Sequence, residues 1–126
     1  WYLKKIGSIS IKRGKITKDN LGFLDDILKT VSKTNRPLII FPQGTRVLPE
    51  ERPPFKKGVS RIYEDLKIYC QPIAINSGYT WPKHGTKNFN KTLTISILSP
   101  IKAGLQKDQF LKILEQNIYK ELDLLN

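Results

Sequence analysis

The stretch Leu38-Ile39-Ile40-Phe41-Pro42-Gln43-Gly44-Thr45-Arg46 joins a short, uninterrupted apolar run to a turn containing a proline, a glycine and an arginine. An apolar run of this length predicts a strand buried on both faces. In open α/β sheets ligands bind just outside the carboxyl ends of the strands, so the turn that follows is a candidate site. Gly44 lets backbone N–H groups approach an anion closely, Thr45 adds a hydroxyl donor, and Arg46 offers a planar fork that can hold two phosphate oxygens. On residue chemistry the turn reads as a phosphate-binding element, with a tight turn and a solvated arginine as the plain alternative.

Outward from this stretch the chain alternates strand and helix signals. Ile9 and Ile11 alternate with Ser8, Ser10 and Lys12, which predicts a short half-buried strand ending at Lys12-Arg13-Gly14. From Asp19 or Asn20, either able to cap a helix, Leu21, Leu24, Ile27, Leu28 and Val31 recur at helical spacing up to about Lys33, and Asn35-Arg36-Pro37 then breaks the pattern. Residues 42–55 form a loop rich in proline. After it, Val59, Ile62, Tyr63 and Leu66 share one helical face. A second buried strand is predicted over 68–75, where Pro72 implies a bulge or an edge, and 76–90 is irregular. Leu93, Ile95 and Ile97 alternate with threonine and serine as a further strand that Pro100 closes. A last helix begins near Lys107, with Phe110, Leu111, Leu114, Ile118, Leu122 and Leu125 on its apolar stripe. The order predicts an α/β fold: a mixed, largely parallel sheet flanked by helices, in one domain.

The 126 residues are 39% apolar and 10% aromatic, enough to bury a core, so a disordered chain is excluded. The formal charge of +11 is unevenly placed: residues 1–67 carry 15 basic and 7 acidic side chains (net +8), and residues 68–126 carry 7 and 4 (net +3). Such a field attracts phosphate as nucleic acid, as an anionic membrane surface or as a small phosphorylated substrate. The lone cysteine, Cys70, excludes an internal disulfide and a thiolate metal cluster, and neither a metal nor a cofactor is implied. No apolar run approaches the roughly 20 residues that cross a bilayer, so any membrane contact of this segment is expected to be peripheral. The start at Trp1 and the lack of methionine predict that an N-terminal part is missing.

The 41–46 hexapeptide resembles the Phe-Pro-Glu-Gly-Thr-Arg block of the glycerophospholipid acyltransferases of the 1-acylglycerol-3-phosphate (lysophosphatidic acid) acyltransferase family, and neighbouring blocks match in order. Gly7-Ser8-Ile9-Ser10-Ile11-Lys12-Arg13 is similar to the family's glycine, hydrophobic strand, arginine block. Phe55-Lys56-Lys57-Gly58 resembles its Phe-Lys-x-Gly, and Gln71-Pro72-Ile73-Ala74-Ile75 its Val-Pro-Val-Ala strand. Asn76-Ser77-Gly78-Tyr79-Thr80-Trp81-Pro82 and Leu98-Ser99-Pro100-Ile101 resemble the C-terminal part of bacterial members.

The resemblance implies the glycerolipid acyltransferase fold and a reaction in which the free hydroxyl of 1-acylglycerol-3-phosphate attacks the thioester of acyl-CoA or acyl-carrier protein, giving phosphatidic acid. It implies that Arg13 and Arg46 hold the substrate phosphate, that Gln43, Gly44 and Thr45 shape the same pocket, and that Lys57 and Gly58 frame it. The implied partners are lysophosphatidic acid, the acyl donor and a peripheral anionic membrane surface, at the cytoplasmic face of the cell membrane. The family's catalytic block is His-x-x-x-x-Asp, in which histidine takes the hydroxyl proton and aspartate orients the imidazole. Here the single histidine is His84, in the polar loop Lys83-His84-Gly85-Thr86-Lys87, and the residue five further on is Phe89. The catalytic block is therefore expected upstream of Trp1, and residues 1–126 are expected to be the C-terminal portion of a single acyltransferase domain. Gln43 stands where the family has glutamate, which keeps an acceptor oxygen and removes the charge.

Four other readings come from the same residues. A nucleic-acid module fits a pI near 9.8, but the basic residues are not interleaved with aromatics on one strand face and no nucleic-acid-binding signature is present. A non-catalytic phosphate- or membrane-binding domain also fits the charge. Trp1, Tyr2 and Leu3 before Lys4 and Lys5 suit either a membrane interface or a packed helix end. Tyr79, Trp81 and Pro82 suit either an acyl-chain or membrane-facing groove or the edge of a core.

Overall fold

The computed structural model describes residues 5, 7–9, 19–34, 36–48 and 50–125, and it divides into two compact units, Trp1–Ile39 and Ile40–Asn126.

The first unit contains helix α1, Asp19–Thr34. Its apolar spacing places Ile27 in a buried position, with Leu24, Leu28 and Val31 half-buried beside it. Thr30 and Thr34 turn their hydroxyls back onto the carbonyls of Asp26 and Thr30, each at 2.7 Å, so these β-branched residues keep their polar atoms satisfied within the helix. The helix stops two residues short of Arg36, whose α conformation is disfavoured by Pro37. The strand expected over 9–11 lies mostly outside the described residues. Ser8 and Ile9, which are described, belong to neither helix nor strand.

The second unit is built on helices α2, Gly58–Leu66, and α3, Lys107–Leu125, and on a sheet of β1, Ile73–Ile75, and β2, Ile95–Ile97. The strands pair antiparallel in the register Ile73 with Ile97, Ala74 with Ser96 and Ile75 with Ile95. A bridge between Cys70 and Ile101, with N···O distances of 2.9 and 2.8 Å, prolongs the ladder beyond Pro72. Pro72 cannot donate, which interrupts the strand as its position in the sequence implies, yet its carbonyl accepts from the Leu98 N–H at 3.1 Å. Where a largely parallel sheet is predicted, this antiparallel pair is the sheet present among the described residues.

The core joins α2, the sheet and α3 through Phe55, Val59, Tyr63, Ala74, Ile101, Phe110, Leu114, Ile118 and Leu122. Four of these recur every fourth residue along α3, which sets that helix flat against β1 and α2. The Tyr63 and Phe110 rings stack with centroids 3.7 Å apart. The Tyr63 hydroxyl donates to the Lys102 carbonyl and accepts from the Leu105 N–H at 3.2 Å, so no polar atom of this aromatic pair is stranded.

Three expectations are corrected. The 38–41 run is not a strand buried on both faces: it has no ladder partner among the described residues, and Ile39 and Phe41 are exposed while Leu38 and Ile40 are half-buried. Nor is the buried strand expected over 68–75 covered on both faces: it shortens to β1, in which only Ala74 is buried. The strand expected over 93–97 turns the other way. Ala74 and Ser96 face α3, where the Ser96 hydroxyl bonds the Glu121 carboxylate at 2.6 Å, and Ile73, Ile75, Ile95 and Ile97 form an exposed apolar face. Small residues on the inner face let the large side chains of α3 approach the sheet. The alternation was visible in the sequence, but not which of its two faces packs inward.

Candidate phosphate-binding site

Residues 41–46 fold into a closed turn because each position supplies what a type I turn requires. Pro42 fixes φ at the second position, Gln43 at the third does not take positive φ, and the Gly44 N–H bonds back to the Phe41 carbonyl at 3.0 Å. Gly44 has φ +73, open to glycine at no steric cost, and a Cβ there would lie 3.5 Å from Lys56 Cγ. The Lys56 N–H bonds the Pro42 carbonyl at 2.8 Å, closing the proline-rich loop at its base.

The loop that follows is strapped to α3 by a polar stripe of Glu115, Tyr119 and Asp123, spaced four residues apart on one helix face. Glu115 accepts from the Phe55 N–H at 2.8 Å, and Phe55 meets Tyr119 edge to face with centroids 5.1 Å apart. Tyr119 donates its hydroxyl proton to the Pro53 carbonyl. Arg52 pairs with Asp123 and lies over the Tyr119 ring at 5.2 Å. These contacts fix a segment whose prolines leave few backbone donors of its own.

Gln43 belongs to this strap. Burial pushes the Tyr119 hydroxyl up from its usual range, while a hydrogen bond from the Gln43 side chain acts in the opposite direction. Because Tyr119 spends its proton on Pro53, its oxygen can only accept from residue 43, which an amide can satisfy and a carboxylate cannot. Gln43→Glu therefore breaks one hydrogen bond and destabilises the protein by about 1 kcal/mol at neutral pH. In urea unfolding the loss shrinks as pH falls and the carboxyl gains a proton to donate. A loss that does not change with pH contradicts the Tyr119 contact.

Arg46 emerges from the turn on an exposed stretch, its Nη1 3.5 Å from the Pro82 carbonyl and its guanidinium carbon 5.9 Å from the centre of the Trp81 ring. The same indole is covered by Lys87, whose Nζ lies 4.1 Å from the ring centre. Exposed contacts of this kind stabilise by about 0.5–1 kcal/mol each, enough to bias a side chain without immobilising it. Beside them an open groove is lined by Leu48, Tyr79, Pro82, Lys87 and Phe89, among others. Tyr79 holds the Glu50 carboxylate, and that hydrogen bond draws the Glu50 pKa down.

The structure thus brings together Gln43, Gly44, Thr45 and Arg46, with the exposed Thr45 hydroxyl 3.5 Å from the Arg46 carbonyl. Lys57 and Gly58 begin α2. Lys57 stands at its N-cap with its side chain exposed and its carbonyl accepting from the Ser60 hydroxyl at 2.9 Å, and the lysine that runs beside Gly44 is Lys56. Arg13 lies outside the described residues. His84 is exposed in the 76–90 loop. Glu115, Tyr119, Asp123 and Lys87 were not read from the sequence as part of this region, and Trp81 was read as a groove or core-edge residue rather than as a partner of Arg46. The spacing of the first three by four residues was the available signal.

Residues 1–76 match the family model described as Acyltransferase. The chain is 32% identical over 115 residues to the 1-acyl-sn-glycerol-3-phosphate acyltransferase of Saccharomyces cerevisiae, covering 86% of this chain and 37% of that protein. It is 31% identical over 80 residues to the 1-acyl-sn-glycerol-3-phosphate acyltransferase of Cocos nucifera, covering 63% and 26%. It therefore spans about a third of the length of these relatives or less, and no solved structure matches it. With the family pattern running through the Gly44 turn and the relatives' similarity extending past it, this chain belongs to the acyltransferase family.

Proposed function

We propose that the protein to which this chain belongs transfers an acyl group from acyl-CoA or acyl-carrier protein to the free hydroxyl of 1-acylglycerol-3-phosphate, giving phosphatidic acid for phospholipid synthesis. The observation that carries this reading is the 41–46 turn. It lies within the family match, and it presents Gly44 at φ +73 beside an exposed Thr45 hydroxyl and an exposed Arg46. In this reading Thr45 and Arg46 bind the phosphomonoester, with Arg13 as a second guanidinium and Gln43 and Gly44 shaping the pocket. Lys57 and Gly58 frame it from the start of α2. The work of this chain is then to hold the acceptor so that its hydroxyl meets the thioester carbon, while the base that removes the proton is a His-x-x-x-x-Asp pair preceding Trp1 in the protein.

The proton leaves the hydroxyl for the histidine as the new ester bond forms, and the thiolate of the donor departs. Binding of a lipid acceptor places the protein at the cytoplasmic face of the membrane, and the net charge of +11 favours an anionic surface there. Among the described residues no helix is long and apolar enough to cross a membrane.

The test is thiol release from acyl-CoA by the full-length protein. Release that requires 1-acylglycerol-3-phosphate, and that is not supported by an acceptor lacking the phosphomonoester, is the expected result. Equal rates with and without the phosphate refute the reading.

A further inference from the structure

The stretch 66–107 contains no aspartate or glutamate, yet it carries Lys67, Lys83, Lys87, Lys91, Lys102 and Lys107. Within it one lysine is singled out by geometry. Lys87 Nζ sits 4.1 Å from the centre of the Trp81 ring, and the guanidinium of Arg46, from the turn 41 residues earlier, lies 5.9 Å from the same centre. Among the described residues neither cation is paired with a carboxylate. None of the groove-lining residues is acidic, and Glu50, which bonds the groove residue Tyr79, is engaged by that contact. Each cation is biased toward the same indole and neither is neutralised there, so both are available to an anion. A phosphomonoester suits such a pair because it carries about −1.5 to −2 charges near neutral pH and three acceptor oxygens.

We infer that Lys87 is a further phosphate-binding cation at the Arg46 site, and that Trp81 is the positioning residue that holds Lys87 and Arg46 at the groove lined by Leu48, Tyr79 and Pro82. This rests on the acceptor proposed above. It goes further in placing part of the headgroup recognition beyond residue 76, where the family match ends, so that the 77–90 loop takes part in choosing a phosphomonoester acceptor. Lys87 supplies a point charge and Arg46 a planar fork, an arrangement that grips a terminal phosphate and gains little from a phosphodiester with one charge.

The experiment uses the full-length protein with Lys87→Ala, Lys87→Arg, Trp81→Leu and Trp81→Phe. Lys87→Ala raises the KM for 1-acylglycerol-3-phosphate roughly tenfold, the loss expected for one charge-assisted contact, while kcat and the KM for the acyl donor stay within about twofold. Lys87→Arg restores most of the acceptor affinity. Trp81→Leu gives the same split and Trp81→Phe recovers it in part, which a merely structural loop residue would not do. An unchanged acceptor KM in Lys87→Ala, or a fall confined to kcat, overturns the inference even if the protein is active.

If wild-type protein does not acylate this acceptor, the proposed reaction fails, and the site is judged by co-sedimentation alone. Phosphatidylcholine vesicles doped with lysophosphatidic acid then retain wild type better than Lys87→Ala, and glycerol 3-phosphate competes. Equal retention of the two proteins, or equal binding to undoped vesicles, overturns the inference and assigns the lysines to general surface charge.

Discussion

Arg46→Ala lowers kcat/KM for 1-acylglycerol-3-phosphate by roughly ten- to a hundredfold, the range expected when a bidentate, charge-assisted contact to a phosphate is removed. The loss appears mainly as a higher acceptor KM if the contact is equal in ground and transition states, and in kcat if the arginine also fixes the angle of attack. Folding is not the cause, because Arg46 is exposed and its protein contacts are one long bond to the Pro82 carbonyl and one ring contact at 5.9 Å. Arg46→Lys recovers only part of the activity, since an ammonium replaces the fork by a point charge. Steady-state kinetics on the full-length protein, with thermal unfolding as the control, check this. An Arg46→Ala enzyme with wild-type acceptor kinetics would remove the phosphate role of the turn.

The largest expected effect on stability is at Phe110. Phe110→Ala destabilises the protein by about 3–5 kcal/mol, the usual result of emptying an aromatic site in a packed core. Phe110 is fully buried and stacks on Tyr63 at a centroid distance of 3.7 Å, so its loss opens a void on one face of a second aromatic ring. Tyr63 also ties α2 to the segment before α3 through Lys102 and Leu105, so the void loosens the junction of both helices. Phe110→Leu retains most of the volume and loses less than half as much. Urea unfolding of the two variants gives the comparison, and equal stability of Phe110→Ala and wild type would show that this core does not hold the second unit together.

Helices were the most legible part of the fold because their apolar positions repeat over several turns. Ile27 and its neighbours marked α1 to within a residue at its end, and Phe110, Leu114, Ile118 and Leu122 marked α3. Short strands carry less information. Ile95 and Ile97 alternate with serine and threonine as expected, yet which set faces inward depends on Ala74 across the ladder and on α3, both distant in sequence. The 38–41 run shows that apolar residues alone do not make a strand, since pairing requires a partner and none is present among the described residues.

At the site, the chemistry of Gly44, Thr45 and Arg46 was readable from the residue types and the turn rules. The side chains that hold the turn in place were not. Gln43 depends on Tyr119 and Phe55 on Glu115, separations at which no local pattern operates. The role of residue 43 changed most: as a letter it is a departure from a family glutamate, and in the structure it is the donor that a tyrosine oxygen needs.

The strap between the 42–55 loop and α3 separates recognition from support along the chain. The family match ends at 76, whereas side chains that hold the loop behind the turn lie at Glu115, Tyr119 and Asp123. An engineer who transplants the hexapeptide alone into another scaffold would carry over the turn and leave its support behind. The transferable unit is the turn together with its helix, and exchange of acceptor preference between relatives would have to move both.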